Sequence, residues 1–431
     1  MRVSSGMIFD AGIASINRQT ASLLKVQQQI ASGRRILTPS DDPVAAARAL
    51  EVTQASDIVA QFKENQNYAV SALGIEEVQL GAATDVIGRV HELAVQSTNS
   101  TLTDSARAGI ATELRARFDE LLGIANSGDG TGNYLFAGFM SSTTPFAGTV
   151  DGILAGSDVV YQGDDGQRKL QVSPTRVIEV SDAGSDLFRR IASGNGYFAT
   201  DYAAGNSGTG VINSGAVSNP AAWNASASQQ VAINFTVTGG VTSYDLVDTV
   251  SGNSLLTGAA APAAPGAQRV FQAGQPIVLS AQGAEAPFDL GASVTITGAT
   301  ADGDSFTLAP GGSQSVFTTV ARLIGALEAP AGTPAAKAQL ASEVGFAVTN
   351  LSHAANRISE TRSLVGSRMN ELDSLGSLNE DLDLQYQQTL STLQDVDYAK
   401  AVSDLTRKQF ELEAAQQSFF KISQLSLFNF L

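Results

Sequence analysis

Each end of the chain carries an apolar stripe that repeats every seven residues. Near the start, Phe9, Ile16, Leu23, Ile30 and Leu37 stand seven apart, with Ile13 and Val26 beside that line; near the end, Tyr398, Leu405, Leu412 and Phe419 do the same. A repeat of seven places apolar side chains along one narrow side of an α-helix, a seam that needs another helix to cover it. The opposite terminus is the one evident partner, so the two ends are expected to pair. The last segment, KISQLSLFNFL, adds Ile422, Leu425, Leu427, Phe428, Phe430 and Leu431, an apolar tip for which another copy of the chain is the expected cover. A closed intramolecular bundle would use the same stripes. The tip, the Gly and Ala on the helices and the rod lengths described next favour assembly, and repeated head-to-tail contacts generate rings or helical tubes.

The first stripe breaks within ASGRRILTPSDDPVAAARAL (31–50), where Gly33 can leave the helix and Thr38-Pro39 cannot continue it. Asp41, Asp42 and Pro43 form a helix-start signature: a carboxylate caps free N–H groups, and Pro at the first helical position gives up nothing. From Pro43 to about Ser97 there is no second Pro, and Leu73, Leu80, Ile87 and Ala94 again repeat every seven. Such a helix is a rod of about 80 Å at ~1.5 Å per residue. A third helix is expected from Asp104 to Asn126, folded back along the rod, with Ile110, Leu114, Phe118, Leu121 and Ala125 on one face and Gly128 as its stop. Beyond residue 312, helix restarts at Ser315 and again at Thr333-Pro334, continuing to about Gln394 with Leu351, Ile358, Val365 and Leu372 seven apart. Asp395-Val396-Asp397 then leads into the last helix.

Between these zones the period changes. Val231, Ile233, Phe235 and Val237 alternate, Gly239-Gly240 follow, and Val241 to Val247 reads as the returning strand of a hairpin. Two more hairpins are expected, around Asp165-Gly166 and around Asp302-Gly303, while GAAAPAAPGAQ (258–268) reads as an irregular loop. The fold class is therefore α+β and multidomain: a long antiparallel helical rod or coiled-coil core built from both termini, with an inserted, mainly β domain. The expected divisions are terminal coiled-coil segments 1–42 and 396–431, frayed in the monomer so that trypsin removes them; a helical rod domain, 43–134 and 313–395; and a β-rich outer domain, 135–312.

Charge and chemistry exclude other classes. With 42 acidic against 26 basic residues and a net charge of −16, the chain repels nucleic acid and anionic membrane surfaces. It has no Cys, and its two His, His91 and His353, stand far apart, so neither a thiolate nor an imidazole-rich metal site is expected. HELAV at 91–95 lacks the second His of a zinc-protease helix. Asp302-Gly-Asp304 and Gly163-Asp-Asp165 resemble calcium-loop fragments but lack the closing Glu, and turn chemistry explains them. SGDGTGN (127–133) has no Lys-Ser/Thr and follows a helix, so it reads as a flexible joint. No catalytic residues, metal or cofactor are expected. No apolar stretch approaches the ~20 residues that cross a bilayer, and MRVSSGMIFDAGIASINRQT does not look like a cleaved secretory signal.

ASGRRILTPSDDPVAAARAL resembles the first-turn signature of the flagellin superfamily. DVDYAKAVSDLTRKQFELEAAQQSFFKISQLSLFNFL resembles the C-terminal helix of that superfamily's junction subunits, and NYLFAGFMSSTTPF (133–146) resembles the point where their helical domain enters the β domain. The resemblance covers roughly the first 145 and last 110 residues. It implies an extracellular bacterial flagellar component, exported without a cleaved signal through the flagellum's own type III apparatus. Its terminal helices would pair in an inner tube, a helical rod domain would lie outside them, and the β domain would lie on the surface. The implied partners are other copies in a ring or helical turn, the first hook-associated protein, flagellin, and a cytoplasmic export chaperone holding Tyr398 to Leu431. Flagellins usually end in a softer helix than SLFNFL, which ranks an adapter at the hook-filament junction above a filament subunit. A surface adhesin role for the β zone is the other alternative; that zone has one Trp, Trp223, and no evident aromatic cluster.

Overall fold

The computed structural model describes residues 5–99 and 101–428. Its helices are α1 (Ser5–Ser32), α2 (Pro43–Ser97), α3 (Asp104–Ala125), α4 (Val150–Leu154), α5 (Pro220–Ala225), α6 (Val316–Glu328), α7 (Pro334–Gln394) and α8 (Tyr398–Phe428). Side-chain caps set the starts. Asp42 Oδ1 accepts the Ala45 amide (3.0 Å) ahead of α2, Thr103 Oγ1 that of Ala106 (3.2 Å) ahead of α3, and Thr333 Oγ1 that of Ala336 (3.1 Å) ahead of α7. Gly33, at φ +72°, takes the left-handed turn that ends α1.

The chain divides into two compact units, one comprising Met1–Asn67, Gln171–Arg176 and Leu372–Leu431, the other Tyr68–Leu170 and Val177–Glu371. In the first, α1 packs on α8, and the α2 and α7 stretches meet through Lys63–Glu380 (3.2 Å). In the second, the heptad residues are core: Leu73, Leu80, Ile87 and Ala94 of α2 and Leu351, Ile358 and Val365 of α7 are buried. The inner face of α3, Ile110, Leu114, Phe118 and Leu121, is buried too, and α3 packs on α6 through the edge-on Phe118–Phe317 pair, 5.7 Å between centroids. α3 ends at Ala125 with Asn126 as its cap, short of Gly128, because the Asn126 amide already closes the last turn onto Leu122 and Gly123.

The strands are β1 (Phe146–Ala147), β2 (Val160–Tyr161), β3 (Lys169–Ser173), β4 (Arg176–Glu179), β5 (Ile191–Ala192), β6 (Phe198–Tyr202), β7 (Val211–Ile212), β8 (Ala216–Val217), β9 (Val231–Thr238), β10 (Val241–Asp248), β11 (Arg269–Val270), β12 (Pro276–Ser280), β13 (Asp289–Thr297), β14 (Ser305–Pro310) and β15 (Ser313–Gln314). Two sheets, β11-β10-β9-β14-β6 and β12-β13-β7 with β8 on β13, share one core of Val231, Ile233, Leu246, Phe306, Leu279, Ile296 and their neighbours. The expected β9–β10 hairpin forms, with Thr238 opposite Val241, and turns through Gly239 and Gly240, both at positive φ.

Several expectations are corrected. Asp165-Gly166 does not close a hairpin: β2 pairs with β1 and β3 with β4, because Asp164 Oδ1 is spent on the Phe139 (2.7 Å) and Gly166 (2.9 Å) amides and bends the loop away. Nor do the strands around Asp302-Gly303 pair: β13 and β14 belong to different sheets. The loop between them wraps the buried Asp304 carboxylate, which accepts from Ser207 (2.8 Å), Gly208 (3.2 Å) and Ala301 (2.8 Å). SGDGTGN is a closed turn instead of a flexible joint, with Asp129 Oδ1 accepting from the amides of Thr131 (2.8 Å) and Asn133 (3.2 Å). The β region does hold an aromatic cluster. Phe235 meets Tyr244, Phe271 and Phe306 at 5.0–6.0 Å, but the cluster is core and not a binding platform.

Candidate assembly site: the paired terminal helices

α1 and α8 run antiparallel. At one end the Phe9 and Phe419 rings lie 5.1 Å apart; at the other, the Val396 amide donates to Gly33 O (2.9 Å) and the Arg35 amide to Gln394 O (2.6 Å). Between them Ile16, Leu23 and Ile30 of α1 and Leu405, Leu412 and Phe419 of α8 are half-buried, and Ala401 is buried. A two-helix seam leaves its large side chains partly open to water, so the pair alone buries its stripe only in part. Gly12 leaves room for the Phe419 ring: a Cβ there would stand 2.5 Å from Phe419 Cδ2. A glycine inside a helix carries no periodic signal, so this residue is not visible in the stripe.

Two stripe members lie off the seam. Leu37 keeps the spacing of seven but follows the end of α1, in the loop, where its amide donates to Asp41 Oδ2 (3.1 Å). Tyr398 is 56% exposed at the start of α8, beside Gly33. The side chains of Ile422, Leu425, Leu427 and Phe428, and all of Phe430 and Leu431, lie outside the described residues.

The loop between α1 and α2 is held by its carboxylates. Asp41 accepts Lys25 Nζ (2.6 Å) and the Thr38 and Leu37 amides (both 3.1 Å); the Lys25 hydrogen bond, then that from Thr38, holds its carboxyl at about 2. Arg35 donates to Asp42 (3.3 Å) and to Leu393 O (2.7 Å), fastening the loop to the end of α7. Beside it a groove of about 210 Å³ is lined by Ile36, Leu37, Pro39, Ala46 and Leu50.

A second apolar face points away from the seam. On α8, Val402 and Phe410 are 51% and 72% exposed; Phe410 stands roughly 150° round the helix from the Leu405–Leu412 line and Val402 roughly 70°, on its flank. On α1, Leu24 is half exposed. Among the described residues no group of three or more His, Cys, Asp or Glu is placed to hold a metal ion, and no helix is long and apolar enough to cross a membrane. His353 is structural: its Nε2 pairs with Gly194 O (3.0 Å).

Two family models match the chain: the bacterial flagellin N-terminal helical region over residues 3–141, and the bacterial flagellin C-terminal helical region over residues 348–431. Flagellar hook-associated protein 3 of Salmonella typhimurium is 32% identical over 193 residues, 45% of this chain and 58% of that protein, so this match spans less than two thirds of the relative. Flagellar hook-associated protein 3 of Escherichia coli is 24% identical over 99% of both chains. The crystal structure of a flagellar junction protein from Legionella pneumophila is similar over 81% of this chain and 100% of that one, at 29% identity and a TM-score of 0.68. The helix-start signature at 41–43 and the α8 stripe fall inside the two matched flagellin regions, which together span more than half of the chain, and on this combination the chain belongs to the flagellin superfamily.

Proposed function

We propose that this chain is a structural subunit of the bacterial flagellum, an adapter at the hook-filament junction that links the hook side to the flagellin filament. The observation that carries this reading is the full-length likeness to a hook-associated protein 3. The physical argument comes from the seam. The α1–α8 pair covers only part of its own apolar surface, and the outer face with Val402 and Phe410 is the surface left for neighbours. Those neighbours are other copies in a ring or helical turn, the first hook-associated protein on one side and flagellin on the other. Before assembly Tyr398 to Leu431 is the segment that a cytoplasmic export chaperone would shield. The role is mechanical and asks for no catalysis, metal or cofactor.

Removing Lys421 to Leu431 tests the reading. Secreted monomer should persist while filaments fail to attach; normal filaments on cells carrying only the shortened chain would overturn it. A finer test separates seam from outer face. Val402→Asp with Phe410→Asp should leave the α1–α8 pair formed, as read by helical circular dichroism, yet abolish attachment.

A further inference from the structure

Glu76 of α2 is 2% exposed. Its Oε1 accepts the Asp182 amide (3.0 Å), and its Oε2 is buried with no hydrogen-bond partner among the described residues. Three charged groups face it: Asp182 on the segment after β4, Arg368 on α7, and Arg168 just before β3. Arg368 is already committed, donating to Asp182 Oδ2 (2.8 Å), Asp182 Oδ1 (3.2 Å) and Glu179 Oε2 (2.9 Å). Gln167 Nε2 takes up Asp182 Oδ1 as well (2.9 Å). Arg368 thus serves two other carboxylates, and the Arg168 charge is the weaker of the two attractions on Glu76. A second negative charge on Glu76 would sit in low dielectric beside Asp182 with one oxygen unserved, which is costly.

We propose that Glu76 is carried as the neutral acid in the folded protein and acts as a pH-sensitive latch, holding the segment 180–185 against α2 until its proton is lost. Burial first, and the Asp182 charge second, push its carboxyl up to about 8 from an ordinary 4.5. The folded chain therefore binds one proton more than the unfolded chain across that window. Glu76's contribution is fully present below about pH 4.5 and is lost as pH rises through about 8. The segment it holds is buried at Val180, Ser181, Ala183 and Ser185, and its ends are tied by Val180 N–H to Arg168 O (2.8 Å) and Gly184 N–H to Phe136 O (3.0 Å). Losing the latch would loosen the base of the β insertion without touching its sandwich core. The inference concerns the folded monomer and does not rest on the junction role.

The test is thermal unfolding of the full-length protein and of Glu76→Gln, a neutral isostere, at about pH 6 and about pH 9. The wild-type midpoint should fall by about 5–10 °C relative to the variant across that interval. Parallel shifts in the two proteins would overturn the latch. Hydrogen exchange of the wild type decides the matter independently of whether the variant folds. Protection of the 180–185 amides should drop between the two pH values while β9 and β10 stay protected; unchanged protection at 180–185 would contradict the proposal.

Discussion

Gly12 shows how much one carbon matters at a two-helix seam. Its missing Cβ makes room for the Phe419 ring, and Gly12→Leu should force α1 and α8 apart at that end. Restoring space with Phe419→Ala in the same chain should recover part of the pairing, read as helical circular dichroism and resistance to protease; no recovery would mean that the ring is not the obstacle. In the β core, Arg269 pairs with Glu285 Oε1 (2.8 Å), donates to Val278 O (2.7 Å) and Ser280 O (2.6 Å), and is nearly buried. Glu285→Ala would strand that charge, and denaturant unfolding should show a loss of about 3 kcal/mol. Asp41 sets an acid limit for the α1–α2 loop. With its carboxyl held near 2 against an ordinary 3.8, its contribution is present above about pH 4 and lost as pH falls through about 2. The cap and stripe residues of these sites are legible in the sequence, since side-chain oxygens before apolar runs and spacings of seven are local signals. Gly12, Arg269 and Glu76 are not, because each owes its role to a neighbour distant in the chain.

Among the elements, the long helices are legible almost to the residue. Asp42-Pro43, Thr103, Ser315, Thr333 and Asp397 each place an acceptor where the first free amides of a helix stand, and Gly33 supplies the stop. Gly33→Val should therefore cost about 1–2 kcal/mol through its positive φ, measurable as lower thermal stability and earlier exchange of the α1–α2 loop amides; an unchanged loop would show that the turn relaxes freely. The β elements are only partly legible. Gly239-Gly240 dictates the β9–β10 hairpin because two adjacent positive-φ residues admit little else. Asp165-Gly166 and Asp302-Gly303 have the same turn chemistry, yet in both loops an aspartate (Asp164, Asp304) binds amides from elsewhere in the fold and sends the flanking strands to other partners. Tertiary hydrogen bonds outrank a local turn signal there.

At the scale of the whole molecule, the two units differ in how completely they bury their apolar residues. The second has a closed helical core and a β sandwich core, whereas the paired α1 and α8 keep their stripe half-buried. The monomer should accordingly be cut by trypsin at Arg34, Arg35 and Lys400, shedding the terminal segments before any cut in the core of the second unit, and two protected termini would contradict this. Mass spectrometry of the surviving fragment reads the result. Assembly should reverse it, since burying the outer face removes the same bonds from the protease. The family is legible from the sequence because its signature lies in the terminal helices, whereas the placement of the β strands into two sheets is not. The most direct test of the junction role is immunogold electron microscopy of whole flagella with antibody against residues 150–305. Label confined to the base of the filament is the predicted result; label along the whole filament would make the chain a filament subunit and contradict the junction reading.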